Sequence, residues 1–311
     1  MKLFAMVFPG QGSQKIGMLS QLYNNFFQIK ETFLEASSII GYDLWNIVKN
    51  GPKKTLDKTY YTQPALLTSS FAIWKLWKDQ GGDIPKFMAG HSLGEYSALV
   101  CSGILKFSDA IKLVIFRANL MQKSIYSKNG SMSAIIGLND NTVIKICKKI
   151  SKKKIVSAVN FNAPGQVVIA GDKESVIKAN KLCKIAGAYC IIPLSVSVPA
   201  HCSLMKPISK KLSNALKKIN FYKSNISVIN NVDIKIETKP SLIRSALTRQ
   251  IYNPIQWKKI ILYLSKKGVK TFLEIGPGNV LSKLIKKNIK IISSASINNI
   301  DSLNWLKKIK Y

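Results

Sequence analysis

The chain has 311 residues, 47% of them hydrophobic, which supports a large buried core and excludes a disordered protein. Lys and Arg total 47 against 15 acidic residues, a formal charge of +32 that fits either an acidic partner or a lysine-rich coding bias. The longest charge-free stretch, 185–205, is interrupted by Pro193, Pro199 and His201, and only six apolar residues follow Lys2, so neither a membrane helix nor a signal-peptide core is expected.

Leu3–Phe8 is a continuous apolar run of strand length, as in a parallel strand buried on both faces. It runs into Pro9-Gly10-Gln11-Gly12-Ser13-Gln14, where two glycines could free N–H groups to face a site or simply form a loop. Residues 20–50 read as helical with a break at Gly41, and a helix starting at Thr62, with Pro64 in its first turn, ends at Gly81-Gly82. Phe87-Met88-Ala89 then reads as a short buried strand. Gly90-His91-Ser92-Leu93-Gly94 follows, and the helix Glu95–Cys101 is closed by Gly103. Strand, G-x-S-x-G and helix are the context of an exposed serine nucleophile. An ordinary turn is the competing reading, because the bare pattern occurs by chance in about one chain of this length in ten.

Ser108 is expected to cap a helix running to about Tyr126, with Arg117 among Ile111, Val114, Ile115, Leu120 and Met121. If buried there, Arg117 needs an anion; on composition alone a solvated helix face is the better reading. Residues 131–193 read as strand (131–138), helix (141–151), strand (155–160), strand (167–170), helix (173–187) and strand (189–193). The middle strands turn at Pro164-Gly165. This βαββαβ order predicts a ferredoxin-like unit, 128–196, inserted in a discontinuous α/β-hydrolase-like core, 1–127 and 197–311. A helix over 203–216, a strand at 227–230 and a polar stretch follow. Then come a helix after Trp257, the strand Thr271–Ile275, and a last helix opened by Gly276-Pro277-Gly278-Asn279.

A serine nucleophile needs a base, and the chain has only His91 and His201. His91 adjoins Ser92 and points to the other side of an extended segment, which leaves His201. No Asp or Glu lies between Glu174 and Asp233 to orient it, so a main-chain or amide oxygen is expected in that role. Cys202 is a rival nucleophile weakened by its adjacency to His201. The five cysteines form no C-x-x-C pair and read as reduced, mostly buried thiols; with two histidines, no metal site is expected. Basic residues are spread as Lys-Lys pairs without an arginine-rich or aromatic-interleaved stretch, which favours coding bias over a nucleic-acid surface.

Taken together, 8–14, Gly90–Glu95, Arg117, 160–166, Val198-Pro199-Ala200-His201, Gln250 and Glu274–Gly278 resemble the malonyl-CoA:acyl-carrier-protein transacylases, colinearly over essentially the whole chain. The resemblance is to the free-standing bacterial enzyme of type II fatty-acid synthesis, not to a polyketide-synthase module. It implies Ser92 as nucleophile, His201 as base and then acid, and the N–H groups of Gln11 and Leu93 as the oxyanion hole. It further implies Arg117 as a fork for the malonyl carboxylate and the Gln250 carbonyl as the group orienting His201. The implied partners are malonyl-CoA and acyl carrier protein. No cofactor, nucleic acid or membrane is implied, and the expected form is a cytoplasmic monomer. Ala200 departs from the Ser or Phe often found there in relatives, which weakens inference about acyl selectivity. A serine hydrolase or thioesterase on the same Ser-His pair, and a basic nucleic-acid-binding protein, remain as alternatives.

Overall fold

Two sheets, one parallel and one antiparallel, organise the chain; the computed structural model describes residues 3–125, 130–151, 154–194, 198–290 and 292–308. Strand β1 (Phe4–Phe8) is buried throughout. Phe4, Met6 and Phe8 join one apolar layer and Ala5 and Val7 another, as the two-residue period of a doubly covered strand requires. Helices α1 (Ser20–Asn25), α2 (Phe27–Ile40) and α3 (Leu44–Asn50) follow, with Gly41 ending α2 at a φ of 80°. A short α4 (Lys53–Leu56) precedes α5 (Thr59–Asp79). Helix α5 begins three residues before the expected Thr62, so Pro64 is its sixth residue. The Lys58 carbonyl, accepting the N–H groups of Tyr61 and Thr62, already starts the helix ahead of the proline.

Strand β2 (Phe87–Gly90), α6 (Leu93–Cys101) and α7 (Phe107–Ile125) come next. Ser108 is the second residue of α7 and not its cap, because the Lys106 carbonyl already accepts the Ala110 N–H. The expected end of that helix at Tyr126 lies outside the described residues.

The antiparallel sheet is built from β3 (Gly130–Ile136), β4 (Val156–Ala163), β5 (Gln166–Asp172) and β6 (Cys190–Pro193), in the order β4-β5-β3-β6. Helix α8 (Asp140–Ile150), capped by the Asn139 side chain accepting from the Thr142 N–H at 2.8 Å, follows β3; α9 (Lys173–Ile185) follows β5. Met132, Ala134, Val168 and Ala170 face the main body, while Ile135, Val167 and Ile169 pack with Val143, Cys147, Val176 and Ala179 of the two helices. The expected boundaries after 127 and 196 fall outside the described residues.

The segment expected as one helix over 203–216 is a 3-10 turn (Ser203–Ile208) followed by α10 (Ser209–Lys217); Pro207 has no N–H for a continuous α ladder. Strand β7 (Ser227–Ile229) precedes α11 (Pro240–Gln250), a helix that occupies the expected polar stretch. Then follow α12 (Trp257–Lys266), β8 (Thr271–Ile275), α13 (Val280–Asn288), β9 (Ser293–Ile297) and α14 (Ile300–Lys308), the last two not expected from sequence.

The parallel sheet has the order β7-β2-β1-β8-β9. Helices α2, α5, α6 and α7 supply one covering layer, and α12 and α13 the other through Trp257, Ile260, Leu281 and Ile285. Strand order reverses at β1, and crevices in open parallel sheets form outside the carboxyl ends at such a point. Phe8 lies in register with Gly90 there, which sets loop 9–14 beside His91 and Ser92. Among the described residues no helix is long and apolar enough to cross a membrane. Four of the five free cysteines are buried, Cys190 partly so.

Candidate active site

Ser92 sits between β2 and α6 with φ 53° and ψ −105°, a backbone state seldom adopted by a residue with a Cβ. Three glycines permit the close approach around it. A Cβ on Gly90 would lie 1.8 Å from the Gly94 carbonyl carbon, one on Gly94 2.0 Å from the Phe8 oxygen, and one on Gly10 2.4 Å from the His91 oxygen. The turn following β1, the elbow and α6 therefore touch backbone to backbone.

Ser92 Oγ is 2.8 Å from His201 Nε2. His201 Nδ1 is 2.7 Å from the Gln250 carbonyl oxygen. A carbonyl only accepts, so Nδ1 carries the proton and Nε2 offers a lone pair to the serine hydroxyl. Gln250 is the last residue of α11, where helix carbonyls have no partner within the helix. That carbonyl is the group that His201 Nδ1 meets, where no carboxylate lies within hydrogen-bonding distance of the ring among the described hydrogen bonds. The N–H of His201 donates to the Ile251 carbonyl at 3.1 Å, fixing the ring's approach. Burial, then the nearby Arg117 charge, pushes the imidazole down to about 3, so it rests neutral.

Arg117 is 1% exposed, so the solvated-face reading of its helix is overturned: the stripe of Ile111, Val114 and Met121 is a core face. Its Nη2 reaches Ser92 Oγ at 3.3 Å and Gln250 Oε1 at 3.2 Å, and Cζ lies 5.4 Å from the Tyr96 ring centroid. Among the described residues it makes no ion pair, and its Nε has no hydrogen-bond partner. A buried guanidinium so placed has N–H groups with the geometry to pair with an anion.

Gln11, Ser92, Leu93, Arg117, Ala200 and His201 line one cavity. Leu93 is the first residue of α6, where an N–H has no helical acceptor, and Gln11 lies in the glycine turn after β1. His91 Nε2 pairs instead with Asn162 Oδ1 at 2.9 Å, and His91 makes no contact with the Ser92 hydroxyl among the described hydrogen bonds. Cys202 Sγ donates to the Pro199 carbonyl, and burial pushes its thiol up to about 11, which disfavours a thiolate nucleophile. Among the described residues no group of His, Cys, Asp and Glu is placed to hold a metal ion.

Two residues that sequence reasoning passed over complete the cluster. Glu95, 3% exposed, accepts from Gln250 Nε2 at 2.9 Å and from the Asn231 N–H at 3.0 Å, and burial pushes its carboxyl up to about 7. Asn231 is fully buried and hydrogen-bonds the elbow backbone. The only sequence signal for it is its place just past a short strand, Ser227–Ile229, at the carboxyl edge of the parallel sheet.

The acyl transferase domain model matches residues 5–304. A malonyl CoA-acyl carrier protein transacylase of Salmonella typhimurium is 50% identical over 304 residues, covering 98% of either chain. The chain likewise resembles the solved malonyl CoA-acyl carrier protein transacylase of Coxiella burnetii (TM-score 0.97, 41% identity, 100% and 98% of the two chains covered). A holo complex of a type II PKS acyl-carrier protein with its malonyl-transacylase aligns at TM-score 0.96 and 51% identity, over 97% of this chain and 98% of that one.

Proposed function

This chain belongs to the acyl transferase domain family, and we propose that it moves malonyl groups from coenzyme A to acyl carrier protein through an ester on Ser92. The transacylase activity rests on the near full-length relatives; the residue roles rest on the geometry of the cavity. His201 Nε2 takes the Ser92 hydroxyl proton as Oγ attacks the malonyl thioester carbon. The N–H groups of Gln11 and Leu93 receive the negative charge that develops on the carbonyl oxygen. Collapse of the tetrahedral intermediate breaks the carbon–sulfur bond, and the departing thiol takes the proton from Nε2. The carrier's phosphopantetheine thiol then repeats the sequence in reverse, leaving Ser92 free. These steps draw on side chains and backbone of the chain itself and call on no cofactor.

Finer features of the fold fit the same reading. The strand–Ser92–helix elbow at the carboxyl edge of a parallel sheet supports an α/β-hydrolase-like core, 1–127 with 197–311. The βαββαβ order and antiparallel strand order β4-β5-β3-β6 support a ferredoxin-like insert, 128–196. A cytoplasmic location is in keeping with the substrates of such a transfer. The relatives lend no support to a hydrolase or a nucleic-acid-binding protein.

The observation that carries the reading is Arg117: a buried cation that makes no ion pair among the described residues, feels Glu95 only through space, and lies 3.3 Å from the nucleophile. The malonyl carboxylate can accept two parallel N–H bonds from it, whereas an acetyl group leaves it unpaired. Intact-mass measurement after mixing with malonyl-CoA should show one malonyl group, mapped to Ser92 and absent from Ser92→Ala. Arg117→Ala should lower malonyl loading by about two to three orders of magnitude while acetyl loading holds or rises; Arg117→Lys should fall between, keeping charge without the fork. Equal loss of both acyl groups in the alanine variant would make Arg117 a structural residue and remove this basis for substrate choice.

A further inference from the structure

We propose that Asn231 is a positioning residue of the transfer reaction, its side-chain amide spanning the elbow so that Ser92 keeps its strained backbone and Leu93, not Ser92, supplies the oxyanion N–H. The proposal rests on Ser92 being the nucleophile and says what holds it in place.

The register of the sheet puts Asn231 there. Strand β7 pairs in parallel with β2, Ile229 opposite Ala89, so a residue two places beyond Ile229 is level with His91 and the elbow. Asn231 Nδ2 donates to the Gly90 carbonyl at 2.7 Å, and its Oδ1 accepts the Ser92 N–H at 2.8 Å. One rigid amide therefore fixes the peptide groups on both sides of His91. Gln250 Nε2 holds the next one, donating to the Ser92 carbonyl at 2.9 Å. Asn231 is itself tied down: its N–H donates to Glu95 Oε2 at 3.0 Å, and its carbonyl accepts the Gln256 N–H at 3.2 Å. Glu95 lies one turn into α6, so the helix that follows the nucleophile also anchors the residue that holds it.

Two consequences follow from this wiring. A residue with a Cβ at φ 53° and ψ −105° persists only where its surroundings over-determine it, and here side chains from two distant segments grip its N–H and its carbonyl. Because the Ser92 N–H is engaged with Asn231, it is withdrawn from the cavity, and the Leu93 N–H is the donor left at the elbow. The site also demands asparagine. It needs an acceptor for Ser92 and a donor for Gly90 at once, and an ionised aspartate offers only acceptors while adding a second carboxylate beside buried Glu95.

The test compares wild type, Asn231→Ala and Asn231→Asp in the full chain. Four quantities are read: the single-turnover rate of Ser92 malonylation, the KM for malonyl-CoA, the rate of Ser92 phosphonylation by a fluorophosphonate, and the melting temperature. The fluorophosphonate carries no carboxylate, so it reports the nucleophile and oxyanion donors without Arg117. A positioning role predicts that the alanine variant loses about 100-fold in both rates, since misplacement by about an ångström costs that much. KM should stay within about threefold, while melting falls because the Gly90 carbonyl and the Ser92 N–H lose their partner. The aspartate variant, which keeps the volume and the Ser92 acceptor, should lose at least about tenfold in both rates and covers the case of an alanine variant that fails to fold. Phosphonylation within threefold of wild type in either folded variant, or a loss confined to KM, overturns the proposal. A malonyl adduct persisting in Ser92→Ala overturns instead the choice of Ser92 as nucleophile.

Discussion

Two buried titratable side chains beside Ser92 respond to pH in opposite senses. Burial chiefly lifts Glu95 from an ordinary 4.5 to about 7, against the pull of Gln250, the Asn231 N–H and Arg117. A carboxyl raised in the fold contributes its full stability below about 4.5 and loses it as pH climbs through about 7. His201, depressed from 6.5 to about 3, does the reverse: its stability is present above 6.5 and is lost as pH falls toward 3. Glu95→Gln should therefore gain on wild type between about pH 4.5 and 7, with a limiting slope of about 1.4 kcal/mol per pH unit. Denaturant titrations of both proteins across that range check it; a difference that stays flat means Glu95 is not held protonated by its burial. How much of this cluster was legible differs residue by residue. His201 followed by elimination in a chain with two histidines. Arg117 did not, because its apolar neighbours on a helix suit a core face and a partly solvated one alike until packing decides. The Gln250 role is carried by a main-chain carbonyl, on which side-chain identity is silent, and was reached only through family resemblance.

At the level of elements, the elbow depends on backbone contact between β1, loop 9–14, β2 and α6. Gly94 tests it directly, because an added methyl would sit 2.0 Å from the Phe8 oxygen, which belongs to a central strand and cannot swing aside. Gly94→Ala should cost about 1–3 kcal/mol or more by overpacking and reduce malonyl loading through a displaced Ser92. Urea unfolding and single-turnover loading measure the two effects, and wild-type values in both would mean that α6 shifts freely. The strands of both sheets other than β9 were readable because each carries a continuous or alternating apolar run closed by turn residues, which the Ser-Ser-Ala-Ser-Ile of β9 lacks. Helix α11 was not: only Ile243, Ala246 and Leu247 give it an apolar face, too few to stand out among arginines and serines, and tertiary packing makes the helix. The 3-10 turn before α10 was missed because Pro207 falls inside a run whose spacing alone suits an α-helix.

Across the whole molecule the +32 charge faces two substrates, the polyanionic malonyl-CoA and a carrier protein. Lys148 and Lys149 of α8 and Lys210, Lys211, Lys217 and Lys218 of α10 and its C-cap are all exposed. A field of this kind speeds encounter and fades as the screening length drops from about 30 Å at 10 mM salt to about 8 Å at physiological strength. Transfer to the carrier should slow about tenfold across that interval, through KM with kcat held. A carrier KM indifferent to salt would leave the lysines as coding bias. Distance along the chain has a separate effect, one of timing. The Ser92 carbonyl is held by a side chain 158 residues further on, and its base by a carbonyl of that same residue. At about 5–20 residues per second of synthesis, roughly 8–30 s pass between the two leaving the ribosome. On the roles proposed for Ser92 and His201, the emerging polypeptide carries its serine unarmed throughout that interval, and would not capture acyl groups before there is a finished enzyme to hand them on.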